Sequence, residues 1–589
     1  MAKEGTGAAA WLRRRLGLAA PFDALLLGWA PWALCLGAAL ASASHTRFAG
    51  PGGPLLLHQD LPVFWLCIGL TAVAGLGALQ RLWRLPASPS WSPRALAAAL
   101  AVFCVVAGAL GGWLLFHGFS LSLDEYLANF DAQIFAHGQL MAPVAPEWRP
   151  LVPALQPIYM VPVPDHAFWG SGYLPLNAAL RAIGSRAGLE WLVNPLLSGV
   201  AVIGVYAVAR RLWPDRPEMA LGAAALLASS SQLILTAMTA YAMPAHLAFN
   251  LAWLWLFLRG GRLGHAGAIA VGFLASGLHQ FLFHPLFAAP FVLQLWLDGR
   301  RRLAGVYTLA YALICLFWIE YWQLALAWLG EPARAAASAG GGWIAQRAAG
   351  VISAIRPGNL GAMATALIRF VTWQNPVTVP LALLGGRAAL RAGGTMRALL
   401  LGLMLTLLVM LLIQPTQTEG WGYRYAHGLL GSLCLLAIWS WARLTDAMTV
   451  PARLAATQGL VAACALSLLV LLPIRAWQAW SYVRPAAAAS ALIQASSAPV
   501  VFVDDEQPWF NMGAVVRNDP YLAKGPKVLL LTTLTEPSVR TLCAHGPVGL
   551  FDGRQAAALG LPTYTAPPDP RLPRLRAVMA EIKCGVPLS

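Results

Sequence analysis

Charge is what this sequence has least of. Asp, Glu, Lys and Arg make up 11% of its 589 residues, against about 25% in a soluble domain. A chain so poor in charge has no surface to present to water, which excludes a soluble globular protein. No CxxC pair or His-rich spacing occurs, which argues against a structural zinc site. No GxxxxGK[ST] loop is present, which argues against an ATP-driven pump. No internal repeat stands out.

Apolar sequence is what remains. Hydrophobic residues make up 58% of the chain and the mean hydropathy is +0.63. Runs of about twenty apolar residues recur along most of its length, the signature of transmembrane helices. Spans are expected near 24–44, 61–80, 95–116, 191–212, 218–238, 242–258, 264–280, 282–298, 303–329, 361–386, 397–413, 425–442 and 453–473. The basic N-terminus followed by an apolar run reads as an uncleaved first span.

The net charge of +16 invites a nucleic-acid reading, but its distribution speaks against one. Arginines gather in alternate loops: Arg13–Arg15; Arg81, Arg84 and Arg94; Arg210, Arg211 and Arg216; Arg259 and Arg262; Arg300–Arg302; Arg387, Arg391 and Arg397; Arg443 and Arg453. By the positive-inside rule those loops are cytoplasmic. The N-terminus is then cytoplasmic, and the long loop 117–190 and the tail face outward. In the tail (474–589), "APVVFVDD", "PKVLLLTTL" and "GPVGLFDG" read as buried strands of a small α/β domain. Cys543 and Cys584 are the two tail cysteines. An oxidising exterior would permit a disulfide between them, and two unpaired thiols are the alternative. The other six cysteines lie in or beside spans as small buried hydrophobes.

Three outward-facing clusters carry the polar chemistry. "SLSLDEYLANF" (120–130) follows an uncharged span with Asp124 and Glu125, and Asp131 comes seven residues after Asp124. Leu127, Phe130 and Ile134 have the spacing of an amphipathic helix lying along the membrane surface, with Asp124 and Asp131 on one edge. Asp124 at such a helix start also reads as an ordinary N-terminal cap. The Pro-rich remainder of the loop carries Arg149. "GLHQFLFHPLFAAP" places His279, Gln280 and His284 at one turn, where interfacial solvation is the plain alternative. "QPTQTEGWGYRYAHGLL" sets Arg424 between Tyr423 and Tyr425 with His427 nearby. A guanidinium there suits a phosphate, or merely snorkels among interfacial aromatics.

"LDEYLANFDAQIFAHGQLMAPVAP" resembles the acidic "DE-aromatic" run of GT-C glycosyltransferases, specifically the protein-mannosyltransferase-like (family 39) and ArnT-like bacterial membrane enzymes. "GWGYRYAHGLLGSLCLLA" is similar to their late "WG-x-R-Y" segment, and "VVFVDD" with "RNDPYLAKGPKVLLL" resembles the extracytoplasmic domain of some members. Two departures stand out: two extra spans precede the first-loop motif, and "GSGYLPLNAAL" replaces a Tyr-Pro-Pro-type segment.

The resemblance implies an all-α polytopic membrane protein of the GT-C kind with an extracytoplasmic C-terminal α/β domain. Residues 1–94 would hold the cytoplasmic segment and the extra helices, 95–473 the catalytic domain, and 474–589 the periplasmic domain. It implies transfer, with inversion, of a hexosyl or pentosyl group from a polyprenyl-phosphate donor to a glycan, lipid or protein acceptor at the periplasmic face of a bacterial inner membrane. Asp124 is the candidate base, with Glu125 and Asp131 as alternates or orienters. Arg424 is the candidate phosphate clamp, supported by Tyr423, Tyr425 and His427. His279, Gln280, His284 and Arg149 would line the donor site. No cofactor or protein-bound metal is required, a divalent cation remains an open option, and no nucleic-acid partner is expected. A flippase of lipid-linked sugars, which would place ionisable groups at mid-membrane, and an O-antigen-ligase-type polymerase are the competing readings.

Overall fold

The computed structural model describes residues 20–45, 55–76, 92–156, 158–330, 358–415, 417, 419–504, 515–561 and 569–588. The expected clusters at Arg13–Arg15, Arg81 and Arg84 and the whole of 331–357 lie outside these residues.

Apolar helices dominate. Among the described residues, eight are long and apolar enough to cross a membrane, and a bent pair, Pro217–Ala228 and Ser231–Ala237, makes up to nine. Of the remaining expected spans, 242–258, 264–280 and 282–298 also have their helices, shorter than those eight, and only 361–386 is interrupted. Met243–Arg259, Gly261–Ser276 and Phe283–Leu297 are helices of 17, 16 and 15 residues. The expected span 361–386 is broken into Asn359–Thr372 and Thr378–Ala392. Pro376 lies in this break; lacking an N–H and disfavouring helix in the residue before it, proline interrupts the helix there.

The arginine-rich loops share one end of the bundle. Arg211 donates to the carbonyl of Arg259, while Arg216 forks onto Asp446, whose own carbonyl accepts from Arg453. The helices Pro93–Leu114, Val193–Leu212 and Met243–Arg259 each run between this end and the opposite one.

In the long loop β1 (Ala142–Pro143) pairs antiparallel with β2 (Phe168–Trp169), and at the end opposite the arginines the tail forms a parallel sheet of order β4-β3-β5-β6: β3 (Val500–Val503), β4 (Lys527–Leu530), β5 (Val548–Phe551) and β6 (Val586–Pro587). All four residues of β3 are buried, as a strand covered on both faces requires. Val500 and Phe502 pack with Leu127, Phe130 and Ile134 of helix Leu123–Ala136. Val501 and Val503 pack with Ala479, Val483 and Phe116.

This corrects two expectations. Helix Leu123–Ala136 is sandwiched beneath the sheet, and Leu127 and Ile134 are fully buried, so its apolar face meets protein and not lipid. The boundary at 474 falls inside one 45-residue helical stretch, Val450–Gln494, whose last turns floor the sheet. Cys543 and Cys584 are disulfide-bonded with Cα atoms 5.9 Å apart.

Polar stitches fix the sheet on the helix. The Tyr126 hydroxyl donates to the Asn518 carbonyl (2.5 Å) and accepts from its N–H (2.9 Å). Arg517 donates to the carbonyl of Ser120 and lies 5.2 Å over the Tyr126 ring.

Candidate active site

The helix Leu123–Ala136 begins with a capping box. Ser122 is the cap residue, and Glu125 accepts from its N–H and its hydroxyl, both at 3.1 Å. The other Glu125 oxygen accepts from the N–H of Ala240 (3.4 Å). The "S-x-x-E" spacing at 122–125 is a sequence signature of this motif. Capping therefore belongs to Ser122 and Glu125, and Asp124 is left to do something else.

What Asp124 does is meet the "GWGYRY" segment, 300 residues away in sequence. One carboxylate oxygen accepts from Arg424 and the other from the Tyr173 hydroxyl at 2.5 Å. The Asp124 side chain is 18% exposed and that of Arg424 5%. Burial pushes the Asp124 carboxyl up, but the positive charges of Arg424 and His279 and the Tyr173 hydrogen bond together outweigh it and hold the pKa at about 2. The same surroundings, burial first and the Asp124 charge next, push the Tyr173 hydroxyl well above the usual phenol range.

Each wall of the site has a local cause. Arg424 is placed by a tight loop: Gln417 accepts from its N–H (2.6 Å) and donates to the Gly422 carbonyl (2.5 Å). Gly422 has φ +70°, and a Cβ there would meet Gln232, so only glycine fits. Gly420 has φ +126° and lies against the aliphatic stem of Arg424. Tyr241 lies beneath the guanidinium, 4.7 Å from ring centroid to carbon, a cation–π contact. Its segment is held by Asn194, which donates to the carbonyls of Thr239 (2.6 Å) and Tyr241 (2.8 Å). Tyr173 is fixed by the turn 277–279, whose carbonyls accept from Leu174 and Leu176, and its ring lies 4.2 Å from that of His279.

A small cavity of about 10 Å³, room for one water, lies beside Arg424, lined by Met243, His246, Asn250, Phe283, Thr406 and Arg424 among others. Several polar atoms in its wall are buried without a partner among the described residues: both ring nitrogens of His246, the Thr406 hydroxyl and Nε of Arg424. Such atoms are rare in folded proteins, and a bound water or ion is the usual partner for them.

The remaining expected residues divide. Asp131 lies on the same helix but bonds the loop, with its two oxygens accepting from the N–H (3.0 Å) and hydroxyl of Ser171. Burial raises its carboxyl to about 6, against the lowering of those bonds. Burial likewise raises Glu125, more than its cap bonds lower it. Both carboxylates are thus structural partners in this arrangement, not members of the Asp124–Arg424 group. Tyr425 lines the cavity and stacks on Phe283 at 5.8 Å. Tyr423 is fully buried with its hydroxyl toward the Met363 sulfur. His427 is buried, with Nδ1 3.1 Å from the Met243 carbonyl.

His279 joins the site through Tyr173, whereas His284 does not. Its two nitrogens lie 2.7 Å from Asn250 and 2.7 Å from Tyr311, a satisfied core histidine. Gln280 is exposed at the turn. Arg149 donates to the Val144 carbonyl within its own loop (3.0 Å), which gives it a loop-folding role in place of the expected donor contact.

Sequence reasoning missed Tyr173, Tyr241 and His246, which sit in apolar or turn segments with no local motif. It also missed a buried ionic knot. Asp60 accepts from Arg369 (3.0 Å), Arg475 (2.9 Å), Thr372 (3.1 Å) and the Trp373 indole (3.0 Å). Arg369 in turn donates to the Gly420 carbonyl (2.7 Å), so the knot braces the loop that presents Arg424. The signal was present as isolated charges inside apolar runs, which are costly and hence rarely idle.

No family model and no curated protein matches this chain. Among solved structures, ArnT from Cupriavidus metallidurans in the apo state is similar with a TM-score of 0.45 and 12% identity, covering 72% of this chain and 85% of that one. The same protein bound to undecaprenyl phosphate gives 0.45 and 16% over the same shares. The oligosaccharyltransferase AglB from Archaeoglobus fulgidus, in complex with an inhibitory peptide and a dolichol-phosphate, gives 0.44 and 13%, covering 74% of this chain and 65% of that one. The likeness to each is partial.

Proposed function

We propose that this chain is a membrane glycosyltransferase that moves a sugar from a polyprenyl-phosphate donor to an envelope acceptor, at the membrane face opposite the arginine-rich loops. The observation that carries the reading is the ionised, partly exposed Asp124 in contact with the buried cation Arg424, beside a cavity with unsatisfied polar walls.

The chemistry follows from the two groups. A glycosyl phosphate already carries its leaving group, so neither ATP nor a nucleotide site is needed. The acceptor hydroxyl or amine attacks the anomeric carbon from the face opposite the phosphate. The bond from that carbon to the phosphate oxygen breaks, and the electron pair leaves with the polyprenyl phosphate, giving inversion. Asp124 takes the acceptor proton, and Arg424 stabilises the charge gathering on the phosphate.

The resting pair sets a condition on this sequence. A carboxyl at about 2 is a weak base, because general-base catalysis is best with a pKa near the working pH. A donor phosphate competes for the Arg424 guanidinium, which it can bind bidentately. As Arg424 turns to the phosphate, Asp124 loses its strongest acidifying neighbour and gains basicity. Donor binding thus arms the base.

The flippase reading would look to the Asp60 knot, since buried charge marks transport paths. That carboxylate is already saturated by four donors, which favours a structural brace. The test is to incubate the purified chain in lipid nanodiscs with undecaprenyl-phosphate hexoses and pentoses plus envelope glycan extract. Product formation and released undecaprenyl phosphate are then followed by mass spectrometry. Wild type should release carrier with at least one sugar, and Arg424→Ala should lose donor use while staying folded. Absence of release across the donors, or unchanged donor kinetics in Arg424→Ala, would refute the reading.

A further inference from the structure

At the arginine-rich end, far from Asp124, a cavity of about 580 Å³ is lined by Arg94, Arg210, Arg211, Trp255 and Leu258. Three arginines from two helices, Pro93–Leu114 and Val193–Leu212, line it. Nη1 of Arg210 is buried without a partner among the described residues. Arg211 spends one N–H on the Arg259 carbonyl (3.1 Å), which fixes its position and leaves its other donors available. Among the described residues, no carboxylate lines this cavity. Three cations gathered without a counter-ion repel one another, so an anion gains energy by entering.

The surroundings say what kind of anion. On Val193–Leu212, Leu196, Val200 and Ile203 are 49%, 55% and 41% exposed and lie on the helical face that ends at Ala207 and Arg210–Arg211. On Pro93–Leu114, Val102, Val106 and Leu110 are 60%, 48% and 54% exposed and wind up the outside of the helix that carries Arg94 at its start. The stripe on Val193–Leu212 therefore runs directly from the cavity, and a second apolar strip on Pro93–Leu114 covers the outside of the neighbouring helix. At their far ends stand Trp113 and Trp191, 72% and 56% exposed, as interfacial tryptophans do. From Arg94 to Trp113 the helix rises about 28 Å, close to the roughly 30 Å of a bilayer's hydrocarbon core. The cavity therefore sits at headgroup depth on its side of the membrane.

We propose that this cavity binds one anionic glycerophospholipid. Its phosphate lies among Arg94, Arg210 and Arg211, and its acyl chains lie along the two apolar stripes. A free phosphate compound would use the same cations and gain nothing from the stripes, so the two sources separate by experiment. Basic pockets between helices on the cytoplasmic side commonly take such headgroups.

Delipidated protein in detergent is titrated with dioleoyl phosphatidylglycerol, with dioleoyl phosphatidylcholine and with inorganic phosphate, following the thermal midpoint and native mass spectra. Phosphatidylglycerol should raise the midpoint saturably and add one tightly held lipid per chain, while the other two ligands should not. The R94Q/R210Q/R211Q variant should bind it on the order of a hundredfold more weakly, with its lipid-free midpoint unchanged. Equal retention of phosphatidylglycerol by that variant would overturn the proposal. So would a shift by inorganic phosphate as large as by the lipid, which would assign a soluble-anion site. If the triple variant does not fold, Arg210→Gln alone must weaken binding several-fold, and unchanged binding again overturns it.

Discussion

Replacing Asp124 with asparagine separates a catalytic pair from a merely structural one, because the two predict opposite signs. Asparagine keeps the shape and one acceptor oxygen, so Arg424 and Tyr173 retain a hydrogen-bond partner and only the charge is lost. A carboxyl held at about 2 instead of 3.8 favours its ionised form by about 2 kcal/mol. Losing that charge should therefore cost about 2 kcal/mol of stability, a thermal shift of a few degrees at most in a chain this size. Nearly all of the protein stays folded.

Turnover should nonetheless fall by roughly two to four powers of ten, the usual worth of a general base. Donor affinity should move the other way. With Asp124 neutral, the donor phosphate no longer competes for Arg424, and the donor lipid should bind up to roughly thirty-fold more tightly for a gain of about 2 kcal/mol. The assay measures donor Kd by native mass spectrometry and kcat by release of undecaprenyl phosphate, on one preparation with its thermal midpoint recorded. Tighter donor binding with lost turnover supports the pair as the catalytic switch. Turnover within threefold of wild type, or weaker donor binding, would refute it.

Two further outcomes follow from buried charge. The Asp131 carboxyl is raised from 3.8 to about 6 by burial, so the cost of holding it ionised is fully present above pH 6 and disappears as pH falls through 4. Stability should therefore rise by up to about 3 kcal/mol between pH 7 and pH 4. The Asp124 contribution has the opposite sign, but is present above 3.8 and lost only as pH falls toward 2, outside this window. Denaturation midpoints of wild type and Asp131→Asn across that range should show a flatter slope in the variant, and equal slopes would sink the account. For Asp60→Ala the expectation is a loss of about 3–5 kcal/mol, since Arg475 is fully buried and Arg369 nearly so. A thermal midpoint within a degree or two of wild type would show the knot to be dispensable.

Local sequence carried a large part of the fold. Hydropathy is summed over consecutive residues, so most membrane helices were legible where they stand. β3, β4 and β5 were legible too, because each is a short run that must be apolar by itself. Asp124 and Arg424 also stood out singly, as charges set at the edges of apolar runs. The capping box at Ser122 and Glu125 was written in the chain as well, and it releases Asp124 from the capping role that its position suggested.

Tertiary structure decided the rest. Nothing local shows that Asp124 meets Arg424 across 300 residues, that Tyr173 and Tyr241 complete their surroundings, or that Asp60 gathers Arg369 and Arg475. Nor could periodicity tell whether the apolar face of Leu123–Ala136 meets lipid or the underside of a sheet, since both are equally dry. The sequence by itself determined which residues must leave water, because burial depends on each residue's own chemistry. Only the folded chain decided which charges would face each other once water was gone, because that depends on partners the chain brings together from far apart.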